Sequence, residues 1–463
     1  MRKLEFKSKE VHLNQVRQLQ RALQQKNRQF SLKKSASKTL RNGDYKKNVE
    51  KLDFSAFCEI LEFSPKEKWI LVEPRMTFAE LCQFTLAHEL VPLVVPEFKT
   101  ITVGGAIMGG ALESSSHKYG QFNDTCLEYE CLLGNGELIY ASATQHEDLF
   151  YGCAGSYGTL ALLTAVKIQL RTTKKWIQLH YVKEDAQKAV DTLIRPLETD
   201  FAEAIVYHPH HAVVITGDIS GKPTSKKVFR QNHSWSPWYV QHVLQTRHTE
   251  EYMTHYEYLF RLDRGGFWIG RYVHSLSTMI RLLLHLGIPK VREQGDFRLS
   301  FFFRFCLGWA FSSQSLYQFW HRIPNDISKK LFFIHDFYTP ANRALEVLAY
   351  FMEQTGIFPI WLCPIAPTKK PQFLSSHFGN TSFLNIGLYG IPKSPLSIPE
   401  LSARLEKKIL DFGGRKMLYS YIYYDQETFA KVYSEEKYEG LRKKYFADPV
   451  FPTLFQKVTT KNF

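Results

Sequence analysis

Glycines cluster in one stretch of the chain, PEFKTITVGGAIMGGALESSSHKYG, at residues 96–120. The stretch holds five of the chain's 26 glycines, as two Gly-Gly pairs and Gly120. Glycine lets a ligand approach the backbone, and Thr102 and the serines at 114–116 offer hydroxyls that can supplement main-chain N–H donors around an anion. This pattern favours a segment that lies against a phosphate-bearing cofactor. A glycine-rich turn packed under a sheet is the alternative.

Two further tracts combine residue types that suit a binding site. The segment AGSYGTL at residues 154–160 is again rich in small residues and could form a second wall that a ligand approaches closely. The segment YLFRLDRGGFW at residues 258–268 mixes aromatic side chains with arginines, which is typical of a cavity wall with a few anchored polar groups. An ordinary edge of the hydrophobic core is the alternative for the aromatic tract.

Other signatures of catalysis are missing from the sequence. It contains no GxSxG elbow, no HExxH, no phosphate-loop signature and no GxGxxG that opens a strand-to-helix unit. Hydrolase, zinc-protease and Rossmann-type interpretations therefore lose their support. The histidines of HPHH, residues 208–211, are predicted to lie at an exposed hairpin tip, because metal ligands must converge on a supported site, and no metal is expected.

Local patterns predict the elements that position the glycine stretch. A basic amphipathic helix is expected over residues 8–27, a helix after a Thr77–Glu80 capping box, and another at 148–152. The strands predicted in this part are 69–73, 129–133, 137–141 and 162–170, with a Gly-Asn-Gly turn between the second and third. Residues 1 to about 172 are thus expected to form one α+β unit.

The rest of the chain is predicted to form a second α+β unit. The strands predicted there are 205–207, 212–215, 358–363, 383–388 and 417–424. The predicted helices are 342–355 and 399–412.

Composition bounds the class of protein and its partners. At 463 residues and 44% hydrophobic content, the chain is too long for one core and is expected to be globular. Its formal net charge of +14 would suit nucleic acid, an anionic membrane surface or an anionic substrate and cofactor. No nucleic-acid module accompanies the charge, so no nucleic-acid partner is expected.

Cysteine usage and hydropathy indicate the cellular compartment of the protein. Seven cysteines without a CxxC pair favour reduced thiols. No signal peptide follows Met1, and no apolar run reaches the length of a spanning helix. The longest run, LSFFFRFCLGWAF at residues 299–311, is predicted to be buried or membrane-facing. A location in the cytoplasm, or peripheral on the cytoplasmic face of a membrane, is expected.

These segments together resemble the delta(24)-sterol reductase (24-dehydrocholesterol reductase/Diminuto) family, a branch of the vanillyl-alcohol oxidase/p-cresol methylhydroxylase flavoprotein superfamily. TVGG alone marks only the superfamily, whereas ESSSHKYG together with PIWLCP is specific to the reductase-like branch. The segments that carry the resemblance over nearly the whole sequence are VEP (72–74), TVGGAIMGG (102–110), ESSSHKYG (113–120), GSYGTL (155–160), FPIWLCP (358–364), IGLYG (386–390) and MLY (417–419).

The resemblance implies an α+β fold in three parts. A two-subdomain FAD-binding domain of the PCMH/VAO type would span residues 1–172, an α+β substrate or cap domain 173–400, and a C-terminal segment 401–463 that packs back on the FAD domain. The loop at 102–114 would lie along the FAD pyrophosphate. The cofactor-binding residues implied are Thr102, Val103, Gly104, Gly105, Ala106, Ile107, Met108, Gly109, Gly110, Ala111, Leu112, Glu113, Ser114, Ser115, Tyr119, Gly120, Gly155, Ser156 and Gly158.

Two features depart from the family pattern. Where family members start the domain with a glycine-containing phosphate turn, this sequence has KKSAS at residues 33–37, whose lysines could hold a pyrophosphate by charge. Eukaryotic members begin with a membrane anchor, which this sequence lacks, so membrane contact is expected to be peripheral, through residues 299–311.

The implied activity is reduction of a carbon–carbon double bond in the side chain of a sterol or isoprenoid lipid, with FAD as cofactor and NADPH as electron donor. An isolated alkene requires an acid beside an aromatic, water-poor pocket. Candidate acids are Glu113, His117, Tyr258 and Asp263. His117 could instead donate a hydrogen bond to the cofactor, link covalently to the flavin or play a structural role. Candidate substrate-binding residues are Arg261, Arg264, Trp361 and Tyr389.

Two other functions remain open at this point. The first is an FAD-dependent oxidase or dehydrogenase of an alcohol, a sugar or a lipid-linked sugar. The second is a flavin-free scaffold at a membrane. The oligomeric state is left open.

Overall fold

The structure is a computed structural model that describes most of the protein. The described residues are 4–24, 28–33, 45, 49–224, 227–233, 236–269, 312–320, 332–368, 370 and 372–459. The apolar run at 299–311 and residues 34–37 of the basic segment lie outside them. Within the described part, no helix has the length and apolar character needed to cross a bilayer.

The protein begins with a helix and a small parallel sheet. Helix α1 (Lys9–Leu23) starts where the Ser8 side chain accepts a hydrogen bond from the main-chain N–H of Val11. Its buried stripe of Val16, Leu19 and Leu23 packs in one cluster with residues of β1 (Phe30–Lys33) and β2 (Glu50–Asp53). The predicted amphipathic helix is confirmed.

An antiparallel sheet forms the centre of the first part of the protein. Its strands are β3 (Ile60–Ser64), β4 (Trp69–Val72), β5 (Leu90–Pro92), β6 (Cys126–Leu132), β7 (Leu138–Ser142) and β8 (Leu162–Thr172). They run in the order β3-β4-β8-β6-β7, and β5 pairs with the end of β8. The four strands predicted in this part are confirmed.

Short helices surround this first sheet. They are α2 (Phe78–Leu86), α3 (Val103–Gly109), α4 (Ser116–Tyr119) and α5 (Glu147–Cys153). The Thr77–Glu80 capping box starts α2 as predicted, with Thr77 Oγ1 accepting from the main-chain N–H of Glu80 at 3.3 Å. The glycine stretch, expected to be a loop, instead forms α3 and α4.

A second, larger antiparallel sheet follows. Its strands are β9 (Trp176–Glu184), β10 (Phe201–His208), β11 (His211–Ser220), β12 (Glu250–Thr254), β13 (Phe333–Pro340), β14 (Ile360–Ile365), β15 (Phe383–Gly390) and β16 (Arg415–Lys416). Their order is β12-β9-β11-β10-β14-β15-β13-β16. The β10–β11 hairpin places His208 and His210 at an exposed tip, as predicted.

The two faces of the second sheet pack against different partners. The helices described along this part are α6 (Ala186–Leu193), α7 (Tyr239–Gln245), α8 (His255–Leu259), α9 (Ser313–Trp320), α10 (Ala344–Thr355) and α11 (Ile398–Asp411). Leu362 faces the core that contains α6, α10 and α11. Trp361 and Cys363, one residue to either side, face the opposite core together with Leu112 from the glycine stretch. Trp361 therefore points towards the first part of the protein.

The C-terminal helices pack on the first sheet. They are α12 (Gln426–Val432), α13 (Glu435–Lys444) and α14 (Leu454–Val458). Phe429, Leu441 and Leu454 share one buried cluster with residues of β4, α2 and β8. The domain boundaries at residues 172 and 400 stay predictions.

One predicted strand is wrong. Residues 417–424 were expected to form a strand, but pairing with β13 ends after β16, at Lys416. Leu418, Ile422 and Tyr424 insert into the core of the first sheet instead, so their apolar character reflects burial by tertiary packing rather than a place in a ladder.

Candidate functional site

A cavity of about 360 Å³ lies between the first part of the protein and the second sheet. One group of lining residues comes from β1, α3 and the AGSYGTL segment and includes Lys33, Gly105 and Gly158. The other group is Glu97, Phe98, Phe267, Asp336, Trp361, Tyr389 and Tyr419. The cavity therefore brings the glycine stretch and the aromatic tract together.

Close packing explains the first glycines of the stretch. A Cβ atom at Gly104 would lie 2.8 Å from Pro74 Cβ and 3.2 Å from the Pro74 carbonyl oxygen. At Gly105 it would lie 2.9 Å from Thr102 Oγ1, the group that caps α3. Both glycines also line the cavity. They are thus required for the fold of the cavity wall, in addition to leaving it free of side chains.

The main-chain donors at the start of α3 are used within the protein. The N–H of Val103 donates to the Met76 carbonyl oxygen at 2.9 Å, and that of Gly104 donates to the Pro74 carbonyl oxygen at 2.8 Å. The N–H of Gly105 donates to Thr102 Oγ1 at 3.3 Å. These groups stabilise the turn into α3, and an anion at this wall would be attracted mainly by lysine and arginine side chains.

The residues implied to bind the cofactor divide into two sets. Those that line the cavity are Thr102, Gly104, Gly105, Ala106, Met108, Gly109, Ala111, Leu112 and Gly158. Those outside the lining are Val103, Ile107, Gly110, Glu113, Ser114, Ser115, Tyr119, Gly120, Gly155 and Ser156. Gly155 is required for packing, because a Cβ atom there would collide with the Leu374 carbonyl oxygen.

A buried carboxylate network lines the wall of the second sheet. Asp336 Oδ1 accepts hydrogen bonds from Tyr389 Oη and Asn385 Nδ2, both at 2.7 Å. Asp336 Oδ2 accepts one from Tyr419 Oη, also at 2.7 Å. Burial raises the pKa of Asp336, and these three donors oppose the shift by favouring the carboxylate.

A second buried cluster lies behind Trp361. Arg261 Nη2 lies 3.0 Å from Glu113 Oε2 and 2.6 Å from Glu203 Oε2, and Arg261 is only 1% exposed. The indole N–H of Trp361 donates to Glu203 Oε2 at 2.8 Å. Burial raises the pKa of Glu113, with Arg261 opposing and Glu203 adding to the shift. The cluster fixes the plane of the Trp361 ring at the cavity wall.

Comparison with known proteins agrees with a cofactor-binding role for the first part of the protein. An FAD binding domain family matches residues 11–142, from α1 to β7. Delta(24)-sterol reductases of Homo sapiens and Arabidopsis thaliana are 28% and 29% identical to this protein, with 91% and 90% of it covered and 80% and 78% of the relatives. The chain is thus similar to delta(24)-sterol reductases over most of its length.

A more distant relative shares only part of the sequence. Cytokinin dehydrogenase 3 of Arabidopsis thaliana is 26% identical over 117 residues, which is 25% of this protein and 22% of that one. The sterol reductases, in contrast, are similar to this protein over about 90% of its sequence.

The side chains around the cavity fit FAD. The cations of Lys33, Arg75 and Lys457 are among the lining residues and match the charge of a pyrophosphate. Lys457 is held in place, because its Nζ donates to the carbonyl oxygens of Tyr157 and Gly158 at 3.1 and 3.0 Å. The aromatic and aliphatic wall matches a flat ring system.

The candidate acids lie outside the cavity lining of the described residues. Glu113 belongs to the Arg261 cluster, and Tyr258 Oη donates to Ser114 Oγ at 3.1 Å beside it. His117 lies between two backbone carbonyl groups, with Nδ1 at 2.9 Å from the Ser114 oxygen and Nε2 at 2.8 Å from that of Thr199. Asp263 Oδ1 accepts from the main-chain N–H of Lys99 at 3.1 Å. Their catalytic roles stay predictions.

The candidate substrate-binding residues are also divided. Trp361 and Tyr389 line the cavity, and both are nearly fully buried. Arg261 stands behind Trp361 in a buried cluster and is not among the lining residues. Arg264 Nη1 donates to the carbonyl oxygens of Gln231 and His233, both at 2.9 Å, outside the lining.

The polar residues of the cavity wall that sequence reasoning missed include Glu97, Asp336 and Tyr419. Glu97 stands in the otherwise apolar run VVPEF, and Asp336 in the strand FIHDFYTP, so an acidic residue within an apolar segment was the available signal. Tyr419 belongs to the MLY segment. The three meet only in the folded protein.

Proposed function

We propose that this protein is an FAD-dependent oxidoreductase that uses NADPH to reduce a carbon–carbon double bond in the side chain of a sterol or isoprenoid lipid. The observation that carries the proposal is the cavity, which joins the wall of the FAD binding domain to an aromatic wall of the second sheet. The relatives that cover most of the sequence are named delta(24)-sterol reductases.

The wall of the second sheet suits an apolar substrate. Phe267 packs against Trp361 and Tyr389, with ring centroids 5.4 and 4.7 Å apart. These rings exclude water from a reacting alkene, and their faces stabilise positive charge on carbon as the alkene takes up a proton. Bound FAD would supply the hydride chemistry of the reduction, with NADPH as the electron donor.

The direction of electron flow can be tested with the purified protein loaded with FAD. Under anaerobic conditions, NADPH is expected to bleach the flavin absorbance, and addition of desmosterol is expected to restore it. Desmosterol is used because it carries an isolated alkene in its side chain.

The same spectra separate the alternative activities. Bleaching by a simple alcohol but not by NADPH would overturn the proposal in favour of an oxidase or dehydrogenase. Protein that stays colourless and releases no FAD on denaturation would overturn it in favour of a flavin-free scaffold.

A further inference from the structure

The proposed reduction requires a proton donor that reaches the cavity. Two carboxyl groups are among the described residues that line it, Glu97 and Asp336. Of the tyrosines that line it, Tyr389 and Tyr419 lie on the same wall as Asp336 and donate their hydroxyl protons to it, whereas Tyr45 and Tyr157 belong to the first part of the protein. The choice of donor therefore depends on how the fold treats the two carboxyl groups.

The two carboxyl groups have opposite surroundings. Asp336 accepts three hydrogen bonds from neutral donors, and such donors favour the carboxylate form. The hydrogen bond that Glu97 receives comes from its own main-chain N–H, and no side chain among the described residues adds another. A single donor compensates a buried carboxylate poorly, so the low-dielectric wall favours the protonated form of Glu97.

Charges around Glu97 act in the same direction. Burial raises the pKa of Glu97 to about 8, and the negative charges of Glu113 and Asp336 contribute to the shift. Arg261 opposes it but is already engaged by Glu113 and Glu203. Two neighbouring carboxyl groups with separated proton affinities are a recurring arrangement for an acid and its anionic partner.

We propose that Glu97 is the acid that delivers a proton to the substrate alkene, with Asp336 as the fixed anion of the wall. This inference rests on the proposed function. Glu97 Oε loses its proton, and the alkene π pair forms a C–H bond at the less substituted carbon. The second C–H bond would come from a hydride that bound FAD would supply, with NADPH as the reductant. The Glu97 carboxylate regains a proton from water.

The test compares three variants of the FAD-loaded protein. Glu97→Gln keeps the shape and removes the acid, Glu97→Asp keeps a shorter acid, and Glu62→Gln changes an exposed glutamate on β3 as a control. Flavin bleaching by NADPH and its reversal by desmosterol are timed separately by stopped-flow absorbance.

Glu97→Gln is expected to leave bleaching by NADPH within about 3-fold of the unaltered protein and to slow reoxidation by desmosterol about 100-fold or more, the usual contribution of a general acid. Glu97→Asp is expected to be reoxidised at a rate between those of Glu97→Gln and the unaltered protein. Glu62→Gln is expected to be reoxidised as fast as the unaltered protein. Equal reoxidation rates for Glu97→Gln and the unaltered protein would overturn the inference, as would equal slowing of both steps. Failure of the unaltered protein itself to be reoxidised would instead overturn the proposed function.

Unfolding of the protein without FAD provides an independent readout. A carboxyl group whose folded pKa is raised stabilises the fold fully below the unfolded value and loses that contribution as pH rises through the folded value. The unaltered protein is therefore expected to lose stability relative to Glu97→Gln between pH 4.5 and about 8. A difference between the two proteins that does not change over this range would overturn the assignment even if the variant failed to bind FAD.

Discussion

Arg261 neutralises two buried carboxyl groups at once, and its position shows how the wall behind the cavity is held. Its Nε lies 2.7 Å from Glu203 Oε1, and its guanidinium stacks at 4.4 Å from the Tyr258 ring centroid. Because Glu203 also accepts the Trp361 indole N–H, a change at Arg261 is transmitted to the cavity wall.

Replacement of Arg261 by leucine is expected to lower the free energy of unfolding by about 3–5 kcal/mol, because it leaves Glu113 and Glu203 buried without a cation. Urea unfolding followed by tryptophan fluorescence would measure the loss. The matched control is Arg343→Leu, which breaks a largely exposed pair with Glu346. Its cost is expected to stay below about 1 kcal/mol. Equal costs at the two sites would contradict the buried-cluster account.

At the scale of elements, α3 connects the glycine pattern to the cavity wall. Its seven residues begin at the Thr102 cap and end where Gly110 adopts φ +65°. The first Gly-Gly pair therefore serves close packing under Pro74, whereas the second begins with a glycine in open surroundings, since the nearest contact of a Cβ atom at Gly109 is 3.8 Å away.

The two glycines predict opposite responses to alanine. Gly104→Ala is expected to destabilise the protein by about 1–3 kcal/mol, because the new methyl group overpacks against the Pro74 backbone and side chain. Gly109→Ala, the control in the same helix, is expected to be neutral or stabilising by about 0.5–1 kcal/mol. Thermal unfolding of the protein without FAD would measure both. A stable Gly104→Ala variant would contradict the packing described for α3.

Helix α1 is attached to the first sheet by a buried histidine. His12 Nδ1 lies 2.8 Å from Glu73 Oε1, and its Nε2 lies 2.8 Å from Glu130 Oε1. Burial opposes the charged imidazole, but the hydrogen bonds with Glu130 and Glu73 outweigh it and raise the pKa of His12 to about 9. The attachment therefore depends on a protonated ring.

This attachment predicts a pH dependence. The stability that His12 contributes is fully present below pH 6.5 and is lost as pH rises through about 9. The difference in unfolding free energy between the unaltered protein and His12→Gln is therefore expected to shrink over that range. His88→Gln, which removes an exposed histidine after α2, is the control. A constant difference over the range in which the ring loses its proton would contradict a charged His12.

At the scale of the whole molecule, local sequence signals predicted individual elements well. The Thr77–Glu80 capping box, the Gly-Asn-Gly turn and the apolar stripe of α1 each act within a few residues, so their outcome depends little on the rest of the fold. The strand predicted at 417–424 failed because its apolar residues are buried by another part of the protein.

The composition of the cavity wall could not be predicted from the sequence, because it depends on contacts between residues that are far apart in the chain. Glu97 precedes α3, Asp336 lies in β13, and Tyr419 follows β16, and the order of strands in the second sheet decides that they meet. The glycine stretch pointed to a cofactor from residue types alone. Glu97 could be proposed as the proton donor only from the folded structure.

Reduction of a carbon–carbon double bond in the side chain adds two hydrogen atoms to the substrate, so the mass of the product reports on the proposed activity. The FAD-loaded protein is incubated with NADPH and desmosterol, and the sterol is extracted and analysed by mass spectrometry. A product heavier by two hydrogen atoms is expected, and its formation is expected to require both NADPH and the protein. Unchanged desmosterol, with FAD still bound to the protein, would contradict the proposed activity.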